Sequence, residues 1–227
     1  MKYLLLIAIF FFVSCNSRQS SKSAPEETYQ EIPENAVALF DGKSLDGWEV
    51  TGFGTGGPIR ISAGKIIINM GDGCSGINRT EEFPKINYEV GLEARKTQGN
   101  DFFCGLTFPV KNTFCSLIVG GWGGPVIGLS TIDGLDASEN ETRILKNFTK
   151  GQWYKIRLRV DEENIMAWID DEKVVDFSYA DRKLGIRPEV TLSKPFGVCT
   201  WMTSAEIKNV WLIEFPFSNH EFSNSHF

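Results

Sequence analysis

Histidine is nearly missing from this chain. Of 227 residues only His220 and His226 are histidine, and both lie at the extreme C-terminus. The body of the chain therefore has no material for a Ser-His-Asp triad or a three-histidine metal site. Cysteine is sparse, five in all, and Cys74, Cys104, Cys115 and Cys199 follow no zinc-site spacing. Basic charge is also in deficit: 23 Lys and Arg stand against 29 Asp and Glu, a net charge of −6. With no basic stripe, nucleic acid is disfavoured as a partner. Beyond Val13 no apolar run is long enough to cross a bilayer. Long helical patterns are absent as well. What is plentiful is glycine (22) and phenylalanine (17), a balance that favours strands and turns.

The N-terminus is the one strongly apolar stretch. Lys2 precedes a run of ten apolar residues, Leu4 to Val13, the length of a signal-peptide core rather than a membrane span. Phe12-Val13-Ser14-Cys15 resembles a lipobox, in which a small residue precedes the cysteine that becomes lipidated. The expected layout is a signal peptide over 1–14, a lipidated Cys15 with a polar tether to residue 35, a domain over 36–215 and a tail over 216–227. Removing the signal removes one basic residue and no acid, leaving 22 against 29, or −7. The tether is rich in Ser, Gln, Glu and Pro and has no hydrophobic period. The signal and lipobox together point to a lipid-anchored protein of the bacterial envelope, facing the periplasm or in the outer membrane, and Asn16, which is not the acidic residue associated with inner-membrane retention, favours the outer membrane. Such a location permits disulfides, and the four later cysteines allow three connectivities or none at all.

The domain reads as a series of short strands. Tyr88, Val90, Leu92 and Ala94 alternate with Glu89, Glu93 and Arg95. Ile156, Leu158 and Val160 alternate with Lys155, Arg157 and Arg159 in the same way. Two strands, 164–170 and 172–177, form a predicted hairpin at Asp170-Asp171. Further strands fall at 65–70, 101–108, 114–120, 125–131, 196–201 and 206–215. A dozen or so short strands with regular turn signals predict an all-β sandwich or barrel in a single domain.

Three segments carry a family resemblance. Ala38-Leu39-Phe40-Asp41-Gly42-Lys43-Ser44-Leu45-Asp46-Gly47-Trp48 resembles the opening signature of the 3-keto-disaccharide hydrolase domain family. Gly151-Gln152-Trp153-Tyr154-Lys155-Ile156-Arg157 and Ala167-Trp168-Ile169-Asp170-Asp171 are similar to two of its later strands. The resemblance runs from Ala36 to Phe215. It implies a concanavalin A-like jelly-roll β-sandwich with sugar chemistry or sugar binding on one sheet face. The chain departs from the family where Ser116–Trp122 replaces a polar strand and where Gly197–Trp201 replaces a Gln-x-His-Gly segment.

Residues 98–143 hold the candidate site. Asp101 follows Gly99-Asn100, and Asp133, Asp136, Glu139 and Glu141 cluster nearby. The E-x-D-x-x-E strand of one glycosidase family is absent. A hydrolase with two carboxyl groups needs them about 5–9.5 Å apart. Glu139 and Glu141 would meet that requirement on a strand, at about 7 Å on one face; in a solvated loop they would not. A 3-keto sugar needs less: one base for the acidified C–H, and a donor for the oxyanion. Asp101 or Asp133 is the candidate base. Arg143, or the amides of Gly120–Gly124, is the candidate oxyanion donor. Calcium is the one candidate cofactor, with Asp133, Asp136 and Glu139 as its oxygens. Asn100, Glu139, Trp122 and Trp201 are candidate substrate contacts, the tryptophans by stacking on a sugar ring. The expected function is cleavage of 3-keto-disaccharides or related glycosides. Its rivals are a non-catalytic carbohydrate-binding module and a partner-binding sandwich.

Overall fold

The computed structural model describes residues 32–216. The signal-like segment, Cys15, most of the tether, and both histidines lie outside the described residues.

Fifteen strands make up the described fold. In chain order they are β1 (Val37–Ala38), β2 (Trp48–Val50), β3 (Ile59–Ser62), β4 (Lys65–Ile68), β5 (Cys74–Arg79), β6 (Tyr88–Gly99), β7 (Cys104–Val110) and β8 (Thr113–Gly121). They continue as β9 (Val126–Ser130), β10 (Ile144–Leu145), β11 (Tyr154–Val160), β12 (Asn164–Ile169), β13 (Glu172–Ser178), β14 (Gly197–Trp201) and β15 (Thr203–Glu214). A 3₁₀ turn, Pro188–Ser193, interrupts the loop before β14. Two antiparallel sheets result. One runs β13-β12-β11-β6-β15-β4-β3, with β1 added beside β15; the other runs β10-β9-β8-β7-β14-β5-β2. This is a sandwich, one of the two architectures that the strand pattern predicted, and it agrees with the jelly roll that the family resemblance implied.

The alternation does what the sequence suggests. Val90, Leu92, Ala94, Ile156, Leu158 and Val160 are buried in the core. Their neighbours face out from the first sheet as ion pairs: Arg157 and Arg159 reach Glu89 at 3.0 and 3.3 Å, and Arg95 reaches Glu206 at 2.6 Å. Trp153 lies under Arg95 and Lys208, and Trp168 under Arg157 and Lys173, so these two indoles pack on the sheet's outer face. The core itself is aromatic-rich. Phe196 is fully buried, stacks on Phe83 at 4.4 Å and meets Trp48 edge-on at 6.0 Å.

The opening signature is structural. The Asp41 carboxylate accepts from the Lys43 and Ser44 amides at 2.7 and 2.8 Å, which closes the turn. Those amides hold its carboxyl below the usual carboxylate range, Ser44 contributing most. Trp48 then enters the core and donates its indole N–H to the Leu39 carbonyl at 2.6 Å.

Some boundaries shift. The strand expected from Asp101 begins only at Cys104, because Asp101 and Phe102 turn outward toward the second sheet's far face. All four described cysteines are free thiols. Cys104 pairs with Val119 and Cys115 with Phe108, so these two cysteines sit on adjacent strands but four rows apart. Burial pushes the Cys115 thiol up to about 12, and the Cys104 thiol higher still.

Candidate functional site

The second sheet has two buried faces. Cys104, Leu106, Phe108, Leu117, Val119 and Val198 point into the sandwich core. The residues between them point the other way and are covered by loops. Ile118 and Val126 pack with Ala137 from the loop over 131–143. Cys74 and Cys199 pack with Val190 from the 3₁₀ turn. Phe102 bridges both clusters. Between these loops the face opens into a cavity of about 220 Å³. That is below the roughly 300–1,000 Å³ of pockets for drug-sized ligands, and suits one ring or a chain end.

Its floor is Cys74, Phe102, Ile118 and Val190; its polar lining is Asp101, Ser116, Ser130, Arg187 and Glu189; Trp122 and Trp201 complete the wall. Apolar floor, aromatic wall and a few convergent polar groups are the usual make-up of a small-ligand site.

Asp101 is held by backbone. One carboxylate oxygen accepts from the Phe102 amide at 2.8 Å, the other from the Gly123 amide at 3.1 Å, and Thr203 Oγ1 accepts from the Asp101 amide at 3.1 Å. The Gly123 bond ties Asp101 to the turn that presents Trp122. This turn demands left-handed backbone: φ is +82° at Gly120, +50° at Trp122 and +122° at Gly124. Glycine adopts such angles freely, whereas at Trp122 they are strained. Trp122 stays 39% exposed and belongs to none of the described core clusters.

The other wall is an ion network. Arg187 donates to Asp136, and through Nη2 to Glu189 at 2.9 Å. Ser130 Oγ donates to the second Asp136 oxygen at 2.9 Å. The hydrogen bond from Arg187 lowers the Glu189 carboxyl, and Glu189 in turn raises the guanidinium. Both groups are therefore charged at neutral pH. Behind the Trp122 turn lies Lys96, buried, its ammonium weakened first by desolvation and then by Lys150, with Asp101 acting in the opposite sense.

The structure brings Asp101, Trp122 and Trp201 into one pocket and leaves other predicted residues outside its lining. Asp133 and Glu141 both pair with Arg182, at 2.7 and 2.5 Å, on the exposed surface. The Lys183 amide and Arg182 lower Asp133, and Arg182 lowers Glu141. Asn100 and Arg143 are exposed and do not line the pocket. The amide of Gly124 donates to the Gly121 carbonyl and that of Gly123 to Asp101, so this turn offers neither to an oxyanion.

Glu139 and Glu141 fall in a turn, the solvated-loop alternative, so they do not share a sheet face; Glu139 is exposed. One expectation is corrected by local structure. Asp133, Asp136 and Glu139 form no calcium cage, because Arg182 holds the first and Arg187 the second. Among the described residues no group of three or more acids, cysteines or histidines is arranged to hold a metal ion.

Arg187 and Glu189 were not legible as site residues. They come from the loop before β14, where Arg187 lies 51 residues beyond the Asp136 it meets, and carry no periodicity. Their only signal is a pair of charges around Pro188.

Several solved structures of similar shape are carbohydrate proteins by name. The carbohydrate-binding module CBM66 from Bacillus subtilis is 14% identical, with a TM-score of 0.50 over 72% of this chain and 93% of that one. Crh5 transglycosylase in complex with NAG is 13% identical, with a TM-score of 0.55 over 79% and 83%. The Emp47p carbohydrate recognition domain is 14% identical, with a TM-score of 0.52 over 80% and 95%. At such identities the likeness is one of fold. Among curated proteins, none matches the chain. The family model for the 3-keto-alpha-glucoside-1,2-lyase-like domain matches residues 35–213, which span the opening signature, both sheets and every pocket residue, and the chain belongs to that family.

Proposed function

We propose that this domain cleaves the glycosidic bond of a 3-keto-glycoside by elimination in the pocket between Trp122 and Trp201. The observation that carries the reading is the presence of Asp101 and Arg187 in one small aromatic pocket. The C3 ketone acidifies the C2–H bond. Asp101 takes that proton, and the electrons move onto O3 as an enolate. Arg187 keeps N–H groups beyond those used by Asp136 and Glu189, and these steady the oxyanion. The enolate re-forms the ketone and expels the C1 substituent, whose oxygen takes a proton from water; the hydroxide left behind removes the proton from Asp101 and restores the base. Addition of water across the resulting C1=C2 bond gives the free 3-keto sugar. Asp101 suits the base because its partners are amides, whereas Asp136 and Glu189 are already bonded to Arg187.

Incubation with a 3-keto-glucoside should release the aglycone and a transient enone absorbance. Asp101→Asn should lower turnover by about 10²–10⁴ while sugar binding persists. Full turnover by that variant would remove Asp101 as the base. Binding without turnover by the unaltered protein would favour a carbohydrate-binding module. The engagement of all three carboxylates by other groups supports that second reading. We further propose that the domain works at the bacterial envelope, tethered through Cys15. The lipobox-like Phe12–Cys15 segment supports this, and labelling by a radioactive fatty acid, lost in Cys15→Ala, would test it.

A further inference from the structure

The charges of the pocket suggest which sugars it accepts, on the reading that it binds a glycoside. Three carboxylates, Asp101, Asp136 and Glu189, surround it or brace its wall, against one guanidinium. Arg187 is the cation that a uronate, sulfate or phosphate would need. Two carboxylates already neutralise it, with Asp136 on Nη1 and Glu189 on Nη2 and Nε. An anionic ligand would meet only its remaining N–H groups, on a guanidinium whose charge the two carboxylates already offset. Lys96 offsets part of the Asp101 charge, but it does not line the pocket and is buried behind the turn. The remaining field is negative, and the apolar floor of Phe102, Ile118 and Val190 screens it poorly.

We propose that this pocket selects glycosides by charge: it takes an amino-bearing sugar in preference to a uronide or to a sulfated or phosphorylated sugar. The ammonium of an amino sugar would gain the field that an acid sugar opposes. Glu189 sets much of this selectivity, because its removal leaves Arg187 with a single carboxylate.

The test is calorimetric titration of the full chain with the methyl glycosides of glucosamine, glucose and glucuronic acid, at a pH where the amine is protonated and the uronate ionised. The glucosaminide should bind at least about tenfold more tightly than the glucuronide. Glu189→Gln should shrink that ratio several-fold, and so should raised salt. A glucuronide that binds as well as the glucosaminide, or better, overturns the proposal. So does a ratio that Glu189→Gln leaves unchanged while circular dichroism shows the variant folded. Failure of all three glycosides to bind would instead overturn the sugar-site reading beneath it.

Discussion

Replacing Trp122 by glycine separates a binding role from a packing role. A core tryptophan costs about 3–5 kcal/mol when truncated. Trp122 is placed differently: it is 39% exposed, outside the described core clusters, and held at φ +50°. Left-handed backbone costs a residue with a Cβ about 1–2 kcal/mol, which glycine recovers. Against that, glycine gains unfolded-state entropy worth about 0.4–1 kcal/mol. The partial burial of the indole contributes a further loss of about 1–2 kcal/mol. The sum runs from a stabilisation of about 0.6 kcal/mol to a destabilisation of about 2 kcal/mol. Urea unfolding at constant m-value measures it. If the indole is a sugar platform, the same variant should bind a glycoside at least about tenfold more weakly, a loss of about 1.4 kcal/mol. A stability loss of 3 kcal/mol or more, in the range of a core truncation, or undiminished sugar binding, would show that Trp122 is packing.

Other outcomes follow from the same geometry. Asp133→Asn and Glu141→Gln should leave turnover within about twofold, because Arg182 holds both outside the pocket lining and exposed pairs contribute about 0–1 kcal/mol; a large loss in steady-state kinetics would return them to the site. Phe196→Ala should destabilise the fold by about 3–5 kcal/mol in urea, since its ring is fully buried between Phe83 and Trp48. Asp133, Glu141 and Glu189 have lowered folded-state values, so their contribution is present above the ordinary carboxylate range and is lost as pH falls through the folded values. Thermal midpoints should therefore drop below about pH 4, and Arg182→Met should flatten the decline; an identical acid profile would contradict this. Cys74 lines the pocket, and a hydrogen bond from Cys199 lowers its thiol, while burial raises Cys104 and Cys115. Mass spectrometry after iodoacetamide treatment of the native protein should find Cys74 labelled first, more slowly when a glycoside is present.

The sandwich was legible because it depends on local patterns. Alternation along Tyr88–Arg95 and Lys155–Val160 reports which side is buried, and the Asp170-Asp171 hairpin needs only short-range turn chemistry. The site was half legible. Trp122 stands out because glycine pairs flank it, Asp101 because it follows Gly99-Asn100 at the start of an apolar run, and Trp201 because it ends a strand. Arg187 and Glu189 depend on where a long loop folds back over the second sheet, a contact between Asp136 and Arg187 across 51 positions that no local period encodes. The same loop explains the error over Asp133 and Asp136: a run of acids reads as a cation site until the arginines from elsewhere are placed beside it.

Elimination from a 3-keto sugar in the Asp101–Arg187 pocket must break the C2–H bond before the aglycone leaves, so the fate of the C2 hydrogen reports on it. A 3-keto-glucoside deuterated at C2 should lose its deuterium to solvent as the aglycone is released, with a slowed rate, and both signals should vanish in Asp101→Asn. Aglycone release with the C2 deuterium retained would contradict the claim.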